Sequence, residues 1–418
     1  MGWTWAVRWL AGAAMALVLA GCQASFHPDM VRTQSPDYAT AYPLYAELCA
    51  LSQFRKRPGF EPPIIGGGFG GHEVLYLNGV CRVKDAHYPV LTPCTGEGVG
   101  ISVNAHYKNA NWVATEGRDF FFNGGLRPEE PLTREAYERA LAHAKEAGLL
   151  DGIEFHREVF AKIPAGDTEA RYMYEVSVGT DFAIKFARDR YCARVPLTPT
   201  QMARAVDYLN GINAPYRAGR KEFRWDVFKD NCSHLLRNAL AAAGVWEPWE
   251  VGRPKAIAMF DFPTPKNEFV NLMHRANDTD LNLESLYNDP VARAAVLSGD
   301  GLPARPGALA EIIHIADPND LYDTDVKLIF NDEPLVGRYQ RRLNRILKEP
   351  RYTDIDANRA YFRDLYRRIE TAKRPLSWYE ARHTGWSAED RARFVLFYTR
   401  YYQAVTAEIA RLESVAAR

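Results

Sequence analysis

The segment 230–234, Asp-Asn-Cys-Ser-His, carries the residues best placed for chemistry in this chain. An alternating apolar and polar run at 223–228 precedes it and predicts a strand, and apolar residues at helical spacing follow it. Asp230 or Asn231 can cap that helix. Cys232 then lies in the first turn, where unpaired N–H groups and the helix dipole are expected to lower the pKa of a thiol. The pattern predicts a cysteine nucleophile.

A cysteine nucleophile needs a base to activate it and donors for a developing oxyanion. His72 is the first candidate for the base, because it opens a predicted strand directly after the glycine-rich segment 66–71. His106 is the second candidate: it follows a strand predicted at 99–104, among polar and aromatic residues suited to a site wall or an orienting group. The helix start at Cys232 can supply the oxyanion donors.

A structural role is the alternative for both residues. Cys232 shares a helical face with Leu235 and Leu236, and a cysteine on an apolar face is usually a small buried hydrophobic group. A histidine that opens a strand, such as His72, is usually satisfied by local hydrogen bonds. The motif His-Glu-x-x-His, the pair Cys-x-x-Cys and the elbow Gly-x-Ser-x-Gly do not occur. The sequence therefore predicts neither a metal nor a cofactor.

The first residues indicate an anchored envelope protein. Residues 10–20 form an apolar run that is too short to span a bilayer and is typical of a signal peptide. The run ends in Leu19-Ala20-Gly21-Cys22, which resembles the bacterial lipoprotein box, so Cys22 is expected to become the N-terminus and to carry the lipid. An ordinary secretory signal with an incidental cysteine is the alternative. Gln23 after the cysteine favours the outer membrane, on its periplasmic side.

Cysteine pairing follows from this location, since thiols outside the cytoplasm tend to pair. Without Cys22, five of the six cysteines remain, so at least one is free. A short excursion with two prolines favours a local disulfide between Cys81 and Cys94. Cys49 and Cys192 can form a second one, which leaves Cys232 free, although a pairing that includes Cys232 remains open.

Composition limits the partners. Lysine plus arginine and aspartate plus glutamate number 52 each, so charge gives no case for a nucleic-acid partner. No second apolar segment is long enough to cross a bilayer. The predicted membrane partner is therefore reached through the N-terminal lipid, and the envelope substrate or partner protein is not identified.

Periodicity predicts the elements that position these residues. Predicted helices cover 38–54, 133–147, 336–348, 356–372 and 388–413, and a capping box at Thr198–Gln201 starts another. Predicted strands are 72–77, 99–104, part of 112–122, an antiparallel hairpin over 172–195, and 223–228. Residues 249–335 are predicted to be rich in loops.

The order of His72 and Cys232, with Asn-Cys-x-His opening a helix, is similar to that of the circularly permuted papain-like thiol enzymes, which include the lecithin retinol acyltransferase group. This resemblance implies that His72 is the base and Cys232 the nucleophile. His106 would be a third polar member, at a spacing that does not match the second histidine of that group.

A closer resemblance is to the Lnb N-terminal periplasmic domain family, an envelope domain of unknown function, over residues 60–245. It rests on Gly70-Gly71-His72 before a strand, the Thr198–Gln201 segment, and Asp230-Asn231-Cys232-Ser233. The family name comes from a context of lacto-N-biosidase maturation, which implies an envelope location.

The sequence thus predicts a signal peptide (1–21), a tether (22–40), a permuted papain-like α+β domain with an antiparallel sheet (41–248) and a mainly helical C-terminal region (249–418). The predicted function is that of a Cys232/His72 hydrolase or acyltransferase acting on an amide, ester or thioester of the envelope. The alternative is a non-catalytic binding or maturation protein that uses the same cleft.

Overall fold

The computed structural model describes residues 38–52, 55–56, 71–84, 86–127, 130–183, 189–258, 262–313, 321–323 and 337–416. Within these ranges the chain is a mixed α+β protein with an antiparallel sheet and a helical C-terminal region, which confirms the predicted fold class at this level. The predicted signal peptide, Cys22 and most of the tether lie outside the described residues. None of the described helices combines the length and apolarity needed to cross a bilayer.

An antiparallel sheet lies at the centre of the described structure. The strands in chain order are β1 (Tyr45–Leu51), β2 (Arg55–Lys56), β3 (His72–Asn78), β4 (Val80–Arg82), β5 (Leu91–Pro93), β6 (Val99–Ser102), β7 (Val113–Glu116), β8 (Arg190–Pro196), β9 (Leu309–Ile313) and β10 (Tyr322–Asp323). Six of them form the main sheet in the order β7-β6-β3-β1-β8-β9. Because β9 pairs with β8, the sheet takes strands from both sides of the domain boundary predicted at residue 248.

Helices pack on both faces of this sheet and form the C-terminal region. They are α1 (Tyr38–Ala41), α2 (Arg118–Asn123), α3 (Arg134–Glu146), α4 (Glu169–Asp181), α5 (Pro199–Arg217), α6 (Cys232–Ala242), α7 (Lys255–Ala258), α8 (Pro265–Asp278), α9 (Leu283–Asn288), α10 (Pro290–Ser298), α11 (Arg338–Lys348), α12 (Ile355–Thr371), α13 (Leu376–Arg382) and α14 (Ala388–Ala416).

The register of β3 separates two sets of side chains, since successive residues of a strand point to opposite faces. His72 and Tyr76 point to one face, the His72 face, where the ring of Phe121 in α2 stacks on Tyr76 with centroids 6.1 Å apart. Glu73 points to the opposite face, the Glu73 face, where α6 packs and Ser233 lies beside the Glu73 carboxyl group. A side chain on β3 therefore contacts either the helices on the His72 face, such as α2, or those on the Glu73 face, such as α6.

A second hydrophobic core lies among α9, α10 and α12–α14. It includes an apolar stripe along the last helix, in which Phe394, Phe397, Tyr401, Val405 and Ile409 are buried. The first core is centred on the sheet and also takes residues from α8, β9 and α11. The region after residue 248 thus contributes to both cores.

Elements with strong end signals are confirmed. Thr133 caps α3 through the backbone N–H of Ala136, and Thr198 and Gln201 form the predicted capping box of α5. At the start of α14, the Ser387 hydroxyl accepts a hydrogen bond from the backbone N–H of Asp390. Each cap satisfies a donor that the first helical turn leaves unpaired.

The helix predicted over 38–54 is wrong for most of its length, because α1 ends at Ala41 and β1 follows. Every residue of β1 is buried, since β3 and β8 pair with it on both sides and helices cover both faces. A strand buried on both faces lacks an apolar and polar alternation, and β1 is apolar except for Glu47, so periodicity alone does not distinguish it from a buried helix.

Two further predictions are wrong. The first half of the predicted hairpin, residues 172–178, belongs to α4, which Thr168 caps by accepting from the backbone N–H of Arg171. The strand predicted at 223–228 is a turn, closed by an isolated bridge between Asp226 and Asp230. In both places a local cap or turn outweighs the alternation of apolar residues.

Candidate functional site

Helix α6 carries Cys232 in its first turn, as the sequence predicts. The cap is Asn231, whose side-chain oxygen accepts from the backbone N–H of His234 at 3.1 Å. The Asn231 backbone N–H donates in return to Nδ1 of His234 at 3.3 Å, and its amide group donates to the Val227 carbonyl at 2.7 Å. Burial lowers the pKa of His234 to about 4, so the ring is neutral and serves the cap.

The Cys232 thiol is 6% exposed, and its environment opposes ionisation. Burial raises its pKa to about 12, and the nearby Glu73 carboxyl group adds to the rise. The backbone N–H groups of Glu73 and Ser233 act in the opposite direction but do not outweigh burial. The expected lowering of the pKa at the helix start is therefore wrong, and Cys232 is a protonated thiol at neutral pH.

Glu73 is the ionisable neighbour of this thiol. Its side chain is fully buried, and burial, followed by repulsion from Glu268, raises its pKa well above the ordinary value. Ser233 and Arg237 act in the opposite direction, but Arg237 is paired with Glu268 at 2.9 Å. The neutral acid is the favoured form of Glu73, which makes it a weak acceptor for a proton from Cys232.

His72 lies on the opposite face of the sheet. Its Nε2 is 2.8 Å from the Ser102 hydroxyl and 3.7 Å from the Asp181 carboxylate. Cys232 lies beside Glu73, the next residue of β3, whose side chain points the other way. The two side chains that flank this point of β3 leave the strand on opposite sides, and among the described residues His72 bonds to Ser102 and is not hydrogen-bonded to Cys232.

A buried hydrogen-bond network surrounds Asp181 on the His72 face. Asn104 donates to one carboxylate oxygen at 2.6 Å, and the Tyr107 hydroxyl donates to the same oxygen at 3.2 Å. The Ser102 hydroxyl is 3.3 Å from the other oxygen. Asp181 and Ser102 are fully buried and His72 is 6% exposed, so these residues form a network that is closed to solvent.

His106 lies at the edge of this network and away from Cys232. Its backbone N–H donates to the Asn104 side chain at 2.9 Å, and its ring faces Phe155 with centroids 6.0 Å apart. Burial, then Lys162 and His156, lower its pKa to about 4. The structure thus connects His106 to the Asp181 network through Asn104, and not to the cysteine.

The other cysteines are placed as predicted. The sulfur atoms of Cys49 and Cys192, and those of Cys81 and Cys94, lie at disulfide distance, and Cys232 is the free thiol of the described residues. Among those residues, the one group of three potential metal ligands is Glu47 with Cys49 and Cys192. Its two sulfur atoms are bonded to each other, so they cannot act as thiolate ligands.

The sequence does not point to Glu73 or Asp181 as residues of the site. Strand alternation from His72 could have identified Glu73 as the residue on the other face. Asp181 was assigned to the turn of a hairpin and instead ends α4, which directs its side chain into the core.

Comparisons with family models, with curated proteins and with solved structures give no match. The resemblances described from the residues therefore remain predictions.

Proposed function

We propose that this chain is a non-catalytic binding or maturation protein of the bacterial cell envelope, anchored through Cys22 to the outer membrane on its periplasmic side. The observation that supports the proposal is that Cys232 lies beside Glu73 and Ser233, whereas the His72 ring is bonded to Ser102 and lies near Asp181. A thiol enzyme needs its base within hydrogen-bond reach of the sulfur. In this proposal the domain resembles the permuted papain-like fold in its helix-borne cysteine, and the cysteine has a packing role.

The state of the thiol supports the same function. Cys232 is buried, its pKa is raised to about 12, and the nearest ionisable group, Glu73, favours its neutral form. Reactive cysteines in proteins are partly exposed and lie in electropositive surroundings, whereas buried structural ones are inert. The surroundings of Cys232 are those of a buried structural cysteine.

A crevice between α2 and α3 offers a place for a bound group. It has a volume of about 620 Å³, which lies in the range of ligand sites. The rings of Phe120 and His143, 4.6 Å apart, form one wall, and Gly124 and Gly125 line it without side chains. Neither His72 nor Cys232 lines this crevice, so a ligand bound there does not contact the thiol.

A thiol hydrolase or acyltransferase is the second candidate, favoured by the position of Cys232 in the first turn of α6. The sulfur would bond to the carbonyl carbon of an envelope amide, ester or thioester, the C–N, C–O or C–S bond would break, and the leaving amine, alcohol or thiol would receive the thiol proton. Transfer of the acyl group to water or to a second nucleophile would then free the thiol. Glu73, rather than His72, is the group on the correct face to take the thiol proton. This candidate requires a change that exposes the sulfur and ionises Glu73.

Alkylation of Cys232 tests the proposal. At pH 7 a thiol with a pKa near 12 carries roughly a thousandfold less thiolate than a free cysteine. We expect iodoacetamide to modify the folded protein at least 100-fold more slowly than the urea-unfolded protein with its disulfides intact. Mass spectrometry of the Cys232 peptide measures both rates, and Cys232→Ala is the control for modification elsewhere.

Rapid alkylation of the folded protein at pH 7 would contradict the non-catalytic proposal and favour the thiol enzyme. In that case Glu73→Gln would slow the reaction of Cys232 if Glu73 is the base, whereas His72→Gln would leave the rate unchanged. A loss of reactivity in His72→Gln alone would show that His72, and not Glu73, acts on the thiol in solution.

A further inference from the structure

Helix α11 concentrates positive charge in a chain whose net charge is zero. Its 11 residues, RYQRRLNRILK, contain no acidic side chain. Its cations are Arg338, Arg341, Arg342, Arg345 and Lys348. Balanced composition of the whole chain therefore conceals a strongly basic local surface.

The cations lie on one side of the helix. Positions 338, 341, 345 and 348 recur at intervals of three and four residues, and all four side chains are exposed. Leu343 and Ile346 are buried on the opposite side, in the first hydrophobic core. With a rise of 1.5 Å per residue, the exposed cations form a stripe roughly 15 Å long.

Among the described residues, few carboxylates lie near Arg341, Arg342, Arg345 and Lys348. Arg345 lies 3.9 Å from Asp278 and 3.8 Å from Glu349, but both acids make closer ion pairs with Arg351, at 2.8 Å each. Within the described part of the chain, Arg341, Arg342 and Lys348 make no ion pair. Repulsion among the cations contributes, after burial, to a lowered pKa of Arg342. Arg341, Arg342 and Lys348 can therefore bind anions from solution without first breaking an ion pair to a described residue.

We propose that the outer face of α11 adsorbs to an anionic lipid surface through phosphate headgroups. A basic amphipathic helix favours such a surface, where each cation contributes roughly 1 kcal/mol, or about fivefold in partitioning. The apolar side of α11 is occupied by the core, so the helix lies on the headgroups without inserting. The predicted lipid at Cys22 would bring the chain to a membrane, and α11 would orient it there.

Vesicle flotation tests this surface. The processed chain, residues 22–418 with Cys22→Ser, is mixed at 0.15 M salt with phosphatidylcholine vesicles, with or without 30% phosphatidylglycerol (a ratio of about 7:3). We expect binding to the anionic vesicles only, and at least a tenfold loss in the variant Arg341→Gln, Arg342→Gln, Lys348→Gln. The matched control, Arg368→Gln, Arg374→Gln, Arg400→Gln, removes the same charge from the C-terminal helical region and should bind like the parent.

Equal losses in the two triple variants would overturn the proposal, because net charge and not α11 would then govern binding. Failure of the parent chain to bind anionic vesicles would also overturn it. If the protein binds a DNA duplex through α11 as tightly as it binds vesicles of equal phosphate content, the stripe recognises polyanions in general and the proposal of a lipid surface is overturned. Circular dichroism of each variant confirms that it is folded. None of these outcomes depends on the role of Cys232.

Discussion

At the scale of single residues, a shift of one position along β3 decides the chemistry. His72 and Glu73 are neighbours in the chain, yet the strand directs them to opposite faces. His72 joins the buried Asp181 network, and Glu73 lies beside Cys232. The residue type that suits a general base is therefore on the wrong side, and a buried carboxyl group occupies the place next to the thiol.

Glu73→Gln should stabilise the protein at neutral pH. The raised pKa of Glu73 means that the folded state keeps its proton above pH 4.5, where the unfolded chain releases it. Folding stability then falls as the pH rises, by up to about 1.4 kcal/mol per unit. The amide lacks this penalty, so the variant should exceed the parent by about 1–3 kcal/mol at pH 7 and match it near pH 4.

Urea unfolding at the two pH values measures the difference. Glu268→Gln is the matched control: it also removes a buried carboxylate, but this one pairs with Arg237 at 2.9 Å, so its loss should be destabilising at pH 7. A Glu73→Gln variant that is less stable than the parent at both pH values would show that the carboxyl group makes a needed hydrogen bond.

At the scale of elements, helix starts were more predictable than strands. Caps involve residues within three positions of one another, as at Thr198–Gln201 and Asn231–His234, so their signal is local. The strand β1 and the helix α4 were misassigned because their burial depends on partners far away in the chain. The sequence left Asp230 and Asn231 as alternative caps of α6, and the structure selects Asn231.

Asn231→Ala should lower the free energy of unfolding by about 1–2 kcal/mol, because α6 loses its cap and the Val227 carbonyl loses a donor. Asp230→Asn, a control at the neighbouring position, should not lower the free energy of unfolding, since the side chain makes no cap and burial, followed by repulsion from Asp226, raises the pKa of its carboxyl group to about 6. Thermal or urea unfolding measures both. Equal effects of the two substitutions would contradict the assignment of the cap.

At the scale of the whole molecule, the two disulfides close loops of very different length. Cys49–Cys192 joins the adjacent strands β1 and β8 over 143 residues, whereas Cys81–Cys94 spans 13. The long one encloses the strands β2–β7 and the helices α2–α4. It therefore constrains the unfolded chain more than the short one does.

Removing Cys49–Cys192 with two alanines should cost about 5 kcal/mol, against about 3 kcal/mol for Cys81–Cys94, by the loop-entropy relation. Chemical unfolding of the two double variants under oxidising conditions measures the difference of about 2 kcal/mol. Equal costs, or a larger cost for the short loop, would indicate that strain or residual structure, and not loop length, governs their effect.

The sequence by itself determined what depends on local patterns or on counting. It identified the helix that begins at Cys232, the capping box at Thr198–Gln201, the long C-terminal helices, and the fact that at least one cysteine besides Cys22 is free. Each follows from residues close in the chain or from cysteine number, which short-range geometry and redox chemistry are enough to interpret.

Tertiary structure alone decided which side chains meet. It placed His72 and Cys232 on opposite faces, made Glu73 the neighbour of the thiol, and brought β9 from beyond residue 248 into the sheet. It also raised the pKa of Cys232, which the helix start was expected to lower. These outcomes depend on strand register, burial and long-range pairing, and none of them is expressed in the spacing of residues along the chain.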